Sequence, residues 1–362
     1  MRVVPLFLRN DWDDLGAEQL REVEAVQQLK RLVVEATEYF TGRQDWESLS
    51  ELLDGSTLLL LRSGENEEAA ITIKQRLQLP GLSLRERDDA IASLVAISFV
   101  LAEYDAAINV MSQALDALRP GEPVEYFGNI VGLALWILYM TGRWSEIPRF
   151  QQALDEAWKR VQEMRDAWSR LAGGYQVLLS VALAREDRAE IDANEAMLYR
   201  LSPEIFQEEA TSLRAVYRDE DFSQITAFYE KAPGDTNGSD VIGFILMLFS
   251  EHGLEVPVAI QNQLKRGGRL YDDMTLHASN IAQALLDDDN EALAHAINEA
   301  EEHQLVVHSA RMRIVLAKRT GDRSQLERAR PVLERLEDRL FLRKLREVDE
   351  LLQPSTSDDA SV

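Results

Sequence analysis

Residues 287–291 read Asp-Asp-Asp-Asn-Glu and formally satisfy Asp-Asp-x-x-Glu. On a helix this spacing turns carboxylates to one face, where they can hold magnesium and, through it, a diphosphate. Asp287, Asp288 and Glu291 would be the ligands of an all-α, magnesium-dependent enzyme. That chemistry also needs a second acidic cluster and basic groups for the diphosphate. The bland alternative is a solvated turn followed by a helix N-terminus, where carboxylates complement the dipole. A calcium loop is excluded, because the Gly required at its sixth position is Ala292. His295, Glu299 and His303 stand at i, i+4 and i+8. At ~1.5 Å per residue the two histidines are about 12 Å apart, too far to share one ion, so a surface ion-pair ladder is expected and no metal site. No Gly-x-Ser-x-Gly elbow and no Gly-x-x-x-x-Gly-Lys-Ser/Thr phosphate loop occurs. With no cysteine among its 362 residues, the chain has no disulfide, thiolate zinc site or cysteine nucleophile. No catalytic residue and no cofactor is expected.

The elements that position these residues read as helices. Gly numbers 18 and Pro 10, and the stretches between them are rich in Ala, Leu, Glu, Arg and Gln, which lose little on entering a helix. Ala107, Ile108, Val110, Met111, Ala114, Leu115 and Leu118 recur at steps of three and four, one stripe of a helix. A short polar turn, an anchor residue and an apolar residue three positions later form a recurring unit. Its examples are Trp46 with Leu49, Tyr104 with Ala107, Trp144 with Ile147, Arg188 with Ile191, Phe222 with Ile225, Glu255 with Val258, Asn290 with Leu293, and Arg323 with Leu326. The last five anchors are separated by 34, 33, 35 and 33 residues. Two antiparallel helices of three to four turns plus short loops consume about that length, and one such hairpin cannot bury its apolar face without neighbours. Between Trp46 and Tyr104, Gly64-Glu65-Asn66 with Ala69 marks an extra shortened hairpin, and Pro80 to Ser83 supplies a helix stop followed by a Ser cap.

The net charge is −24, from 63 acidic against 39 basic side chains, so general DNA or RNA binding by the whole surface is excluded. One segment runs against this. Arg311 to Arg346 holds 12 Lys and Arg against 5 Asp and Glu, leaving −31 on the rest. It reads either as a stripe for an acidic partner or nucleic acid, or as long helices with i,i+4 pairs. Val3 to Leu8 is too short an apolar run for a secretory signal, and Ile130–Met140 and Val241–Phe249 reach only about half of the ~20 residues a membrane helix needs. A soluble, cytoplasmic protein is expected, with no membrane contact.

Gly142-Arg143-Trp144, and Tyr104 followed by Ala107, Ala114 and Pro120, resemble the second half of a tetratricopeptide repeat (TPR). Asp289 to Ala296 and Gly321 to Leu336 are similar to the looser variant in bacterial regulatory proteins, including arrays attached to signalling ATPases, cyclases and transcriptional activators. The resemblance implies an all-α, right-handed α-solenoid over residues 1–352, irregular in about 1–83, with 353–362 a disordered polar tail. It implies a concave face that binds a protein or peptide, lined by the first helix of each hairpin. Tyr126, Asn129, Trp168, Tyr175, His277, Asn280, His308 and Arg311 interrupt or flank apolar first-helix stripes and are the expected lining. The expected function is a protein-binding adaptor, scaffold or regulatory subunit, with an effector- or peptide-sensing regulator as the alternative. A clamp for chaperone tails is disfavoured, since no Lys-x-x-x-Asn occurs.

Overall fold

The computed structural model describes residues 23–63, 65–117, 127–162, 169–201, 246–254, 256, 261 and 273–353. Every regular element among them is helical. In chain order these are α1 (Val23–Arg43), α2 (Trp46–Ser63), α3 (Asn66–Leu77), α4 (Leu84–Val100), α5 (Tyr104–Ala117) and α6 (Phe127–Met140). A 3-10 turn (Trp144–Glu146) leads into α7 (Ile147–Val161), followed by α8 (Ser169–Arg185) and α9 (Arg188–Leu201). A helical stretch at 246–251 precedes α10 (Asp273–Leu286), α11 (Asn290–Glu302), α12 (Val306–Thr320), α13 (Ser324–Leu336) and α14 (Arg339–Leu351).

One turn is built again and again. Gln44, Ala102, Gly142, Glu186, Gly253, Asp288, Gln304 and Glu337 all have φ between 54° and 71°, the left-handed region. Each lies two residues before the next helix start or anchor position. The N–H of the following residue reaches back five positions in every case, as in Asp45 to Phe40, Arg143 to Leu138, Asp289 to Ala284 and Asp338 to Leu333, at 2.9–3.0 Å. A second bond spans three positions, as in Gln44 to Thr41 and Gly142 to Tyr139. Together they are a Schellman closure, which satisfies the carbonyls a helix end would otherwise orphan. Gly321 closes its helix with a single bond to the Ala317 carbonyl instead.

At four of these turns the side chain of the residue after the left-handed one caps the next helix. Asp45 accepts from the Ser48 N–H, Asp187 from Ala189 and Glu190, Asp289 from Glu291 and Ala292, and Asp338 from Phe341. Each such cap stabilises its helix by about 1 kcal/mol. Anchors 46, 104, 188 and 290 are therefore the first residues of α2, α5, α9 and α11, Trp144 opens the 3-10 turn before α7, and Arg323 directly precedes α13. The apolar residues three positions on, Leu49, Ala107, Ile147, Ile191, Leu293 and Leu326, are all buried. Anchors 222 and 255 lie outside the described residues. The expected cap at Ser83 forms a full capping box with Glu86.

Only glycine occupies a left-handed backbone without a Cβ penalty, which for other residues is roughly 1–2 kcal/mol. At Gly142 (φ 71°) an added Cβ would also sit 3.2 Å from the Arg335 guanidinium and 3.6 Å from Leu336 and Val306. Gly142→Ala is expected to lower the unfolding free energy by about 1–2 kcal/mol, and Ala102→Gly (φ 57°) to raise it by about 0.5 kcal/mol. Urea titrations of the two variants should move the midpoint in opposite directions. Equal shifts would refute this account of the turn.

The chain divides into two compact units, Met1–Ile130 and Val131–Val362. In the first, α1 packs on α2, α2 on α3, α3 on α4 and α4 on α5, as in a helical array. Buried Arg76 of α3 pins three of these helices. Its guanidinium donates to Ser50 at 3.0 Å and Asp54 at 2.5 Å on α2 and lies 2.9 Å from Asp89 on α4.

In the second unit α7 packs on α8, α8 on α9, α10 on α11, α11 on α12, α12 on α13 and α13 on α14. Here the packing also goes beyond sequential neighbours, because α14 lies against α8. Arg185 at the end of α8 donates to the Leu336 carbonyl, and Arg343 of α14 pairs with Glu186. Gly132 of α6 and Gly174 of α8 let two helix backbones approach closely, since a Cβ on Gly132 would lie 3.2 Å from the Gly174 nitrogen.

Candidate functional site

The acidic run is used up by the turn. Asp289 caps α11, Asp288 occupies the left-handed position and pairs with Arg319, and Asp287 accepts from Gln283 at 2.9 Å. Among the described residues no group of three or more His, Asp or Glu is placed to hold a metal ion. His295 faces Glu299 at 3.8 Å on the surface. His303 turns its ring to His277, with centroids 4.3 Å apart.

Of the expected lining residues, four that the structure describes lie in the interior. Tyr175 is buried, and its hydroxyl donates to Asp155 at 2.8 Å. Burial and that bond push its ionisation above the ordinary phenol range. His277 is also buried. His308 and Arg311 lie in the interior of the second unit. Their apolar flanks made them look like interruptions of a stripe, whereas they are polar groups paired inside it. Asn280 is exposed on α10, and Asn129 lies in α6. Tyr126 and Trp168 fall outside the described residues.

Arg311 is the centre of this buried cluster and is fully inaccessible, with 0% of its surface exposed. Its Nε donates to Asp338 Oδ2 at 2.9 Å, and its Nη1 donates to the Tyr139 hydroxyl and to Glu251 Oε2, both at 2.8 Å. The other Glu251 oxygen lies 2.8 Å from His308 Nδ1, and the guanidinium carbon sits 4.4 Å above the Phe341 ring. Four stretches of chain thus meet on one cation: the end of α6, the 246–251 helix, α12 and the start of α14. Asp338 has two tasks, since its Oδ1 caps α14 while Oδ2 holds Arg311. Burial pushes the Glu251 carboxyl up, but the Arg311 charge and the His308 bond outweigh it and hold the group at about 2. Burial pushes Asp338 up, and Arg311 and the Phe341 N–H only partly offset it. Arg311, Glu251, Asp338, Tyr139 and His308 Nδ1 are bonded to one another, while His308 Nε2 has no hydrogen-bond partner among the described residues, and the ion pairs at its centre make the cluster a structural pin.

His252 sits beside it, 3.0 Å from Lys344 Nζ and edge-on to Phe341. Burial, then the Lys344 and Arg311 charges, lower its pKa well below 6.5, with Glu251 opposing. The unfolded chain therefore takes up a proton near pH 6.5 that the folded chain refuses, and stability falls on acidification below that point. The loss approaches about 1.4 kcal/mol per pH unit. Asp338, with its raised value, acts in the opposite direction at lower pH, so a variant is needed to isolate the histidine. Between pH 7.5 and 5.5 the native chain is expected to lose about 1 kcal/mol more than His252→Gln. Identical pH profiles for the two proteins would exclude this role.

The segment with excess positive charge forms a surface groove of about 400 Å³ where α13 and α14 meet the end of α8. Glu186, Arg330, Glu334, Arg339, Leu342, Arg343 and Arg346 line it. Arg339, Arg343 and Arg346 stand at i, i+4 and i+7 and are exposed, so one face of α14 carries a row of guanidinium groups. The charge bias of 311–346 was visible in sequence. Its split was not: Arg311 and Arg313 are buried, whereas Arg339, Arg343 and Arg346 face outward.

No protein-family model matches the chain, and no curated protein is significantly similar to it. No helix among the described residues is long and apolar enough to cross a membrane.

Proposed function

We propose that the chain is a non-catalytic protein-interaction module, a right-handed TPR-like α-solenoid in which curvature brings α14 back to α8. Its first helices line a concave surface that receives a segment of a partner protein in an adaptor, scaffold or regulatory role. One observation supports this above the others. The same Schellman turn recurs in both units and sets helical hairpins against their neighbours, which is how repeat arrays build surface. The titratable clusters among the described residues are consistent with it, because their polar atoms hold helices together.

Affinity purification of the full chain from a native lysate of its source is the test. A partner protein recovered in stoichiometric amount and co-eluting on size exclusion is expected. Recovery of none, together with magnesium-dependent turnover lost in Asp288→Ala, would replace this reading by the enzymatic one.

A further inference from the structure

We propose that the groove between α13 and α14 is the docking site for an acidic, extended segment of a partner protein, held by Arg339 and Arg346 across Leu342. This rests on the reading of the chain as a protein-binding module and names the chemistry of what it binds.

Among the neighbouring arginines, Arg319 is matched by Asp288, Arg323 by Asp349 and Arg328 by Glu301, and inside the groove Arg343 is matched by Glu186. Arg339 is exposed and has no carboxylate in ion-pair reach among the described residues. Arg346 bonds only the Leu342 carbonyl of its own helix, at 3.4 Å, and Arg330 meets Asp349 loosely at 3.7 Å. These cations keep donors for a ligand, and a guanidinium takes a carboxylate in a two-pronged fork.

The spacing favours an extended chain. On α14, Arg339 and Arg346 are about 10.5 Å apart along the axis at ~1.5 Å per residue, with half-buried Leu342 between them. In an extended polyproline II segment, with three residues per turn and ~3.1 Å rise, acidic residues three positions apart share one face about 9 Å apart. The chain between them then passes over Leu342.

The charge distribution favours a short acidic segment over nucleic acid. Glu186 and Glu334 sit in the groove wall, and the chain outside residues 311–346 carries −31. A polynucleotide would run off the groove onto that surface and be repelled, whereas a segment of a few residues ends within it.

Fluorescence anisotropy with the full chain tests the assignment. The probe is a labelled ten-residue peptide of Asp and Glu with one central Leu, and the controls are its Asn/Gln analogue, a ten-nucleotide single-stranded RNA and inorganic phosphate. The acidic peptide is expected to bind. Its affinity should fall at least tenfold in Arg339→Ala/Arg346→Ala and in the amide analogue, and several-fold in Arg339→Lys, which loses the fork. Both arginines are exposed, so the double variant should keep its circular dichroism and melting temperature. Equal binding by the double variant, no binding by the native chain at 1 mM peptide, or preference for the RNA or phosphate would each overturn the assignment. The lysate purification separates the two levels. A stoichiometric partner that the double variant still captures contradicts the groove alone, whereas no partner with either protein contradicts the module.

Discussion

Arg311→Met is expected to lower the unfolding free energy of the second unit by about 3–5 kcal/mol, because it strands two buried carboxylates that are both bonded to this one cation. Glu251 and Asp338 are both buried and both bonded to this guanidinium. Methionine approximates the length of the arginine stem and preserves much of its contact with Phe341, so the loss reports charge more than volume. The remedy is part of the prediction. Adding Glu251→Gln and Asp338→Asn to Arg311→Met removes the stranded charges and should recover part of the loss, although the amides still need partners. A single substitution costing less than about 1 kcal/mol in urea unfolding would show that the cluster is not the pin described here.

Trp144→Ala is the second large effect, also about 3–5 kcal/mol. The anchor positions matter only where they fill space between hairpins, and Trp144 does so with 2% of its surface exposed. Its ring stacks on Tyr139 at 5.6 Å, Tyr139 stacks on Trp136 at 5.5 Å, and its indole N–H donates to the Tyr139 carbonyl at 2.9 Å. Removing it opens a cavity beside the hydroxyl that Arg311 uses. The equivalent anchor Arg188 is exposed at the start of α9, so Arg188→Ala should stay within about 0.5 kcal/mol. Comparable losses at the two positions would mean that anchor burial does not set the energetics.

Much of the helical order was legible because the turn has its own grammar. Most of these helix ends place one residue in the left-handed region, and the Asp of Asp45, Asp187 and Asp289 announces the cap of the next helix in the sequence. The same grammar explains the acidic run at 287–291, whose composition suggested metal chemistry before Asp289 was seen at a cap. Two turns escaped notice, at Gln304 and Glu337, since neither precedes an aromatic or a repeat-spaced anchor. With the second went the significance of Asp338.

The interior position of four candidate lining residues was unreadable for a different reason. Helical periodicity says that a polar residue sits in an apolar stripe, but not whether a counter-charge arrives there from distant sequence. Arg311 finds Glu251 and Tyr139 from positions 60 and 172 residues away, and no local pattern encodes such a meeting. The α8–α14 contact was unreadable for the same reason, and with it the third wall of the groove.

The central proposal is that the chain acts by holding a partner protein. Affinity purification of the full chain from a native lysate, followed by size exclusion, addresses this directly. The account predicts a partner protein that is recovered in stoichiometric amount and co-elutes with the chain. The chain recovered alone, with magnesium-dependent turnover lost in Asp288→Ala, would contradict it.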